Sequence, residues 1–243
     1  SDPQQSADAF AATPSGEQIT VLVKEGAAAK AIVPTNASLG DRWHHVGFND
    51  ASWTSGTTGV GYDEQTGYGA LIGLDMNATM NDRNTSVFVR VPFAVTDPPK
   101  FTSFTLKMKY DDGFAAFLNG TRVASANGPN VLPWNASATA GHDDSDATQF
   151  VSFDLTNHLP SLQQGTNVLA IHGLNDGLTS SDMLVSPQLE TGRSTGGTAI
   201  MLPDGRVTLK ARTRVGAEWS TLSEGTFLVG GAMATPENVV ISE

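Results

Sequence analysis

Closely spaced carboxylates are the side chains of this sequence best suited to bind a metal ion. Asp143, Asp144 and Asp146 lie within four positions of one another, directly after His142. Calcium takes about six to eight oxygen ligands from flexible loops, and neighbouring carboxylates supply several of them. The pattern is compatible with a structural calcium site. The alternative is a solvated loop in which the aspartates form turns.

A second acidic pair, Asp111 and Asp112, precedes Gly113 at a turn between two predicted strands. Two carboxylates beside a glycine turn can bind a metal or accept hydrogen bonds from a neighbouring loop. The alternative is that they cap backbone N–H groups of the turn itself. We assign Asp111 to the candidate metal ligands and Asp112 to the candidate ligand-binding residues.

Catalytic motifs are weak in this sequence. The pattern G-x-S-x-G at 192–196 needs a strained strand-to-helix turn and a later histidine, but the last histidine, His172, precedes it. Paired carboxylates could hydrolyse glycosides, yet a chain with 25 acidic residues offers such pairs by chance. No nucleotide-binding, zinc-protease or EF-hand pattern occurs. We therefore expect a protein that is not an enzyme, with a glycoside hydrolase as the weakest alternative.

Exposed aromatic residues beside polar groups are typical of carbohydrate-binding sites. If 42–46 is a strand, Trp43 and His45 share one face and could stack on a sugar, although a core position for Trp43 is the alternative. Trp134, in a Pro-Trp-Asn loop, is the best candidate for an exposed aromatic residue. Together with Asp112, these three residues form the predicted ligand-binding set.

Composition excludes several classes of partner. The 243 residues include 25 acidic and 14 basic side chains, so the formal net charge is −11. That balance argues against nucleic acid or an anionic membrane as a partner. No apolar run approaches the roughly 18 residues of a membrane-spanning helix. The absence of cysteine excludes disulfides and thiolate metal sites, and the composition suits an exported bacterial protein.

The elements that position these residues are predicted to be strands, because apolar residues alternate with period two far more often than with the helical period. The alternation is regular over 104–109, and Asn119-Gly120 indicates a tight hairpin turn after 114–118. Helix is expected only around 67–80 and 157–163. Many short antiparallel strands predict an all-β fold, an antiparallel β-sandwich of the jelly-roll type with a small C-terminal β appendage.

Composition also divides the chain into segments. Residues 1–16 are polar and predicted to be a linker, 17–190 to be the jelly-roll domain, and 191–199, rich in Gly, Ser and Thr, to be a second linker. Two further strand-like pieces, 206–214 and 218–229, fall within 200–236. About forty residues are few for an independent core.

Several motifs in order resemble the galactose-binding-like jelly rolls, including those at the front of β-galactosidase-type glycosidases. They are Trp43 followed by 47–53 (GFNDASW), the 110–120 hairpin (YDDGFAAFLNG) and 165–172 (GTNVLAIH). With 72–75 and 84–90, they look closest to a jelly-roll module of large secreted proteins from planctomycetes and related bacteria. That module accompanies CotH-type kinase-like and lamin-tail domains.

The tail carries its own resemblances. Segments 207–212 and 218–227 resemble the last strands of the immunoglobulin-like chitobiase/β-hexosaminidase C-terminal module, and 237–243 resembles the start of a lamin-tail domain. The resemblance implies a piece of a longer secreted or cell-surface protein. It also implies polysaccharide or surface-glycan binding, frequently with a structural calcium. A spacer or adhesion module without a small ligand is the alternative, and no sugar-binding residue is carried over from the family.

Overall fold

The computed structural model describes residues 16–65, 67–195, 204–215 and 218–229. The chain forms two compact units, Glu17–Ser194 and a second made of Ser1–Gly16 with Thr195–Glu243. The predicted start of a following domain at 237–243 lies outside the described residues. The same is true of 1–15 in the first predicted linker and of 196–199 in the second.

Two six-stranded sheets make up the larger unit, as the period-two alternation predicts. The first sheet has the order β10-β7-β12-β4-β5, with β1 also paired to β12. Its strands are β1 (Glu17–Val23), β4 (Val60–Asp63), β5 (Leu74–Asp75), β7 (Ser103–Asp111), β10 (Val151–Asp154) and β12 (Asp182–Ser194). All pairings in it are antiparallel except that of β4 with β5, which is parallel.

The second sheet is wholly antiparallel, with the order β3-β2-β6-β11-β8-β9. Its strands are β2 (Ala28–Ile32), β3 (Thr54–Thr57), β6 (Ser86–Val95), β8 (Gly113–Leu118), β9 (Thr121–Ala126) and β11 (Gly165–Leu174). Buried residues of both sheets belong to one apolar core. The architecture is therefore the antiparallel β-sandwich that the sequence predicts.

Within the described ranges, helical structure is limited to short turns. The two α-helical turns are α1 (Asn77–Met80) and α2 (Asp144–Ala147), and 3₁₀ turns occur at Ala37–Leu39, Arg42–His44, Gly69–Leu71, Pro98–Lys100 and Thr156–Ser161. The helix expected over 67–80 is thus a 3₁₀ turn, a short strand and one α-helical turn. The helix expected at 157–163 is a 3₁₀ turn.

Alternation in β7 follows the prediction, since Phe104, Leu106 and Met108 are fully buried while the intervening residues are half-buried. The predicted hairpin joins β8 to β9, and Asn119 and Gly120 both adopt positive φ angles, 51° and 102°. Both central positions of this turn need positive φ, which explains the Asn-Gly sequence.

The outer face of the second sheet is covered by the segment 42–53. Trp43 and Trp53 pack with Phe88 of β6 and Ala170 of β11 in a second apolar cluster. The condition under which Trp43 and His45 would share one face, a strand at 42–46, is not met, because Arg42–His44 is a 3₁₀ turn. Trp43 therefore points into this cluster while His45 is exposed.

Strand β12 continues through Ser194, so residues 191–194 of the predicted linker are strand paired to β1 and β7. In the smaller unit, β13 (Gly205–Ala211) pairs antiparallel with β16 (Ser223–Val229), and β14 (Arg214–Val215) with β15 (Glu218–Trp219). Among the described residues, no helix is long and apolar enough to cross a membrane.

Candidate functional site

One end of the first sheet collects three carboxylates. Asp111 ends β7, Asp182 begins β12, and Asp144 begins α2. One oxygen from each lies within 4.8 Å of the other two, with Asp111 and Asp182 buried and Asp144 exposed. We call Asp111, Asp144 and Asp182 the acidic triad. Carboxylate oxygens are the ligands that hard divalent cations prefer, so the triad could hold a metal ion.

Tyr68 and Asp112 complete the surroundings of the triad. The Tyr68 hydroxyl donates a hydrogen bond of 2.5 Å to Asp111 Oδ2. Asp112 is 7 % exposed, and its two oxygens accept backbone N–H groups of His142 at 3.1 Å and Asp176 at 2.8 Å. The Asp112 carboxylate thus holds two neighbouring loops, which is one of the two roles that the sequence leaves open.

Burial and neighbouring negative charge control the ionisation of this site. Burial, with the charges of Asp112 and Asp182, raises the pKa of Asp111 to about 8. Burial and Asp144 raise the pKa of Asp182. The charge of Asp112 raises the pKa of Asp176. A bound cation would favour the ionised form of each of these groups.

His142, which precedes the predicted acidic group, is engaged elsewhere. Its ring stacks on Tyr110 at a centroid distance of 4.2 Å, and its Nδ1 lies 2.8 Å from the Tyr110 carbonyl oxygen. Asp143 and Asp146 lie in the same turn as Asp144, but the triad does not include their carboxylates. Of the four predicted metal ligands, the structure brings Asp111 and Asp144 together and adds Asp182.

A groove lies at the 3₁₀ turn Arg42–His44. It has a cavity volume of about 430 Å³ and is lined by Arg42, His45, Gly47, Phe48 and Asn49. We call this feature the 42–49 groove. Its volume falls within the range of about 300–1,000 Å³ typical of small-molecule sites. An aromatic ring, an imidazole, a guanidinium and a carboxamide therefore share one concave surface.

Arg90 fixes the backbone that forms this groove. The guanidinium of this buried residue donates to the carbonyl oxygens of Trp43 and His45, and its Nε lies 2.8 Å from Asp50 Oδ2. The Cζ atom of Arg90 also lies 5.3 Å from the centroid of the Phe48 ring. Lys30 pairs with the second oxygen of Asp50 at 2.8 Å. Five polar and aromatic contacts thus tie 43–50 to strands β2 and β6.

The rings of His44 and Phe117 form a stack beneath the imidazole of His45. Its ring lies 4.9 Å from that of His44, which in turn stacks on Phe117 at 4.4 Å. Gly120 lies directly against His45, because a Cβ at that position would come within 2.4 Å of the imidazole. Gly120 is therefore required both by the β8–β9 turn and by the position of His45 in the groove. Any side chain at position 120 would displace His45.

The predicted ligand-binding residues are not all together. His45 is exposed in the groove. Trp43 is 4 % exposed, and its ring stacks on Phe88 at a centroid distance of 4.1 Å. Neither Trp43 nor Asp112 lines the groove. Trp134 is half-buried against the same cluster as Trp43. Burial of Trp43 follows from the 3₁₀ turn, which directs this side chain onto the sheet.

Sequence reasoning missed Arg42, Phe48 and Asn49 of the groove and Asp182 of the triad. The GFNDASW segment contains two of them, and we interpreted that segment as a feature of the fold alone. For Asp182 the sequence carries no signal. The residue reaches the triad because β12 pairs with both β4 and β7, with Asp182 opposite Asp63 and Leu184 opposite Asp111.

No protein-family model and no curated protein matches this chain. Solved structures that it resembles include a Bacteroides uniformis β-glucuronidase 2 covalently bound to cyclophellitol-6-carboxylate aziridine. There the identity is 14 %, the TM-score is 0.46, and the match covers 72 % of this chain and 18 % of that chain. An uncultured Clostridium β-glucuronidase gives 11 % identity and a TM-score of 0.44, covering 89 % of this chain and 40 % of that one.

A Ruminococcus gnavus β-glucuronidase in complex with D-glucaro-d-lactam gives 9 % identity and a TM-score of 0.43, covering 88 % of this chain and 34 % of that chain. This chain therefore spans less than half the length of each of the three proteins. Similarity at this level carries no information on activity, substrate or partners.

Proposed function

We propose that this chain is a non-catalytic carbohydrate-binding module and that its sugar site is the 42–49 groove. The observation that carries the proposal is the combination of the half-buried Phe48 ring with the exposed side chains of His45, Asn49 and Arg42 in one concavity. Sugars present apolar C–H faces, which pack on aromatic rings, and hydroxyl groups, which need polar partners.

Rigidity supports the proposal. Arg90 and Asp50 hold the backbone of 43–50, and the His45–His44–Phe117 stack orients the imidazole. A preformed site loses little conformational entropy when the ligand binds. A single groove of this size gives weak affinity, which repetition along a polysaccharide strengthens.

Affinity electrophoresis through gels containing soluble polysaccharides tests this function. We expect His45→Ala to weaken retardation about fivefold or more, because a hydrogen-bonding group and part of the groove wall are lost. His158→Ala, on the 3₁₀ turn at 156–161, is the matched control and should leave retardation unchanged. Absence of retardation by both neutral and acidic polysaccharides contradicts the proposal.

A second role, as a spacer or adhesion module in a longer secreted protein, is favoured by the acidic triad. In this role Ca²⁺ binds Asp111, Asp144 and Asp182 and holds the loop that contains α2 against the ends of β7 and β12. The carboxylates of Asp112, Asp143 and Asp146 lie outside the triad. Calcium in the extracellular range of about 10⁻⁴–10⁻³ M suffices for such modules, which agrees with a proposed extracellular or cell-surface location.

The two roles are separable by experiment. A protein that gains thermal stability from Ca²⁺ yet binds no polysaccharide is a spacer. A protein that binds polysaccharide equally well in EDTA and in Ca²⁺ uses the groove independently of the triad. The resemblance of the sequence to modules of large secreted proteins supports further domains of the same chain as partners in either role.

A further inference from the structure

Arg42 and Arg83 are the two arginines of the larger unit whose guanidinium has no partner among the described residues, and of these two Arg42 lines the 42–49 groove. Arg90, Arg122 and Arg193 all donate to backbone or side-chain oxygens. The Arg42 side chain is exposed, lines the 42–49 groove, and makes no ion pair or hydrogen bond with any residue in the described ranges. Its five N–H donors are therefore available to a ligand.

The surroundings of the groove are locally cationic. Lys30 and Arg90 share the single carboxylate of Asp50. Arg42 follows Asp41 in the chain. Lys30, Arg42 and Arg90 counted against Asp41 and Asp50 leave one positive charge in excess around the groove, in a chain whose formal net charge is −11. The groove is an exception to the acidic balance of the chain.

We infer that the ligand of the 42–49 groove is an acidic glycan whose hexuronate carboxylate pairs with the Arg42 guanidinium. This inference rests on the proposed carbohydrate-binding function and names the class of sugar. A guanidinium presents parallel N–H groups that match the two oxygens of a carboxylate. Phe48 then contacts the apolar face of the sugar ring, and Asn49 and His45 contact its hydroxyl groups.

The overall negative charge of the protein does not prevent this binding. At physiological ionic strength, exposed charges separated by more than about 8 Å are largely screened. The contact between Arg42 and a carboxylate lies well within that distance. Long-range repulsion therefore slows the approach of an acidic polymer, whereas the short-range ion pair determines which sugar stays bound.

Galacturonate and mannuronate oligosaccharides, each as free carboxylates and as methyl esters, provide the test. Methyl esterification removes the charge and leaves the rest of the sugar unchanged. With the full chain in isothermal titration calorimetry, we expect at least one free acid to bind about tenfold or more tightly than its ester. Arg42→Gln should abolish that difference by lowering the affinity for the free acid. Arg83→Gln, which removes an exposed arginine outside the groove, should preserve the difference.

The outcomes separate this inference from the function on which it rests. Equal affinity for acid and ester, or binding of neutral glycans alone, overturns the acidic-ligand inference while carbohydrate binding stands. A preference for the acid that Arg83→Gln reduces as much as Arg42→Gln also overturns it, because bulk charge then explains the preference. If neither the acids, the esters nor neutral polysaccharides bind, the proposed function itself fails.

Discussion

Asp111 ends β7 with its carboxyl group buried, hydrogen-bonded to Tyr68 and close to Asp112 and Asp182. The ordinary pKa of an aspartate is 3.8, and burial with neighbouring negative charge raises that of Asp111 to about 8. The folded protein therefore binds this proton more tightly than the unfolded chain does. The stability that this group contributes is full below about pH 4 and is lost as the pH rises through 8.

A pH series in EDTA tests this ionisation. We expect the melting temperature of the native protein to fall between pH 5 and pH 8, and Asp111→Asn to flatten that dependence because an amide carries no charge. Far-UV circular dichroism during heating measures both. A native protein whose melting temperature rises steadily over that interval contradicts the assigned pKa.

Calcium dependence of stability distinguishes the residues of the triad from their neighbours. Ligand binding to the folded state alone stabilises it by RT ln(1 + [L]/Kd), about 2.7 kcal/mol at a hundredfold excess over Kd. We expect millimolar Ca²⁺ to raise the melting temperature by several degrees. Asp144→Asn should remove most of that rise, and Asp146→Asn, in the same turn, should leave it intact. Equal effects of the two substitutions would refute the assignment.

At the scale of residues, the sequence indicates which types of side chain could bind a ligand, but it does not show which of those side chains lie close together in the folded protein. Asp111 and Asp144 are recognisable as ligand types, and the structure brings their carboxylates together. Asp182 is recognisable only from strand register. Trp43 looks like a sugar-stacking residue, yet a 3₁₀ turn buries it on Phe88. Tertiary contacts that no local pattern encodes explain both results.

At the scale of elements, the segment 42–50 depends on Arg90 of strand β6. Replacing Arg90 by Met leaves the Trp43 carbonyl oxygen without its donor and Asp50 without its buried partner. It also removes one of the two donors to the His45 carbonyl oxygen, the other being the Phe48 N–H. We expect a loss of about 3 kcal/mol in the free energy of unfolding, the usual effect of breaking a buried ion pair. Urea denaturation measures it.

Lys30→Met is the control for that substitution, because Lys30 pairs with the same Asp50 carboxylate from a more exposed position. An exposed pair contributes about 0–1 kcal/mol. If both substitutions cost the same, Arg90 does not fix the segment. Polysaccharide binding should fall with Arg90→Met and persist with Lys30→Met.

Period-two alternation and the Asn-Gly turn allow β7, β8 and β9 to be predicted, because both signals are local. The segment 42–46 is different, because its helical turn is stabilised by Arg90 from a strand more than forty residues away in sequence. Asn167, in the G-x-N-x-L-A motif, has a role that only the structure explains. It accepts from and donates to Gln163 and accepts from Asn119, which fixes the approach to β11.

At the scale of the whole molecule, the three apolar clusters that the described residues form lie within Glu17–Ser194. A fragment of residues 16–195 should therefore fold cooperatively by itself. Guanidinium denaturation followed by tryptophan fluorescence should give one transition, because Trp43, Trp53 and Trp134 all belong to the second cluster or pack against it. A gradual loss of signal without a transition would contradict this division.

The triad and the groove are built on different sheets of one sandwich, since Asp111 and Asp182 lie on the first sheet and the groove covers the second. A cation at the triad and a sugar in the groove therefore have no side chain in common. The overall architecture was predictable because alternation recurs in most strands. The pairing of strands that creates the triad was not, because register is a property of the folded sheet.

Chemical-shift mapping tests the carbohydrate-binding role most directly. The ¹⁵N-labelled protein is titrated with short soluble oligosaccharides, neutral and acidic, in the presence of Ca²⁺. With at least one of them, the largest backbone amide shifts should fall on Arg42, His45, Phe48 and Asn49, and the amides around Asp144 should not move. No shifts with any of these sugars, or shifts confined to residues away from 42–49, would show that the groove is not a sugar site.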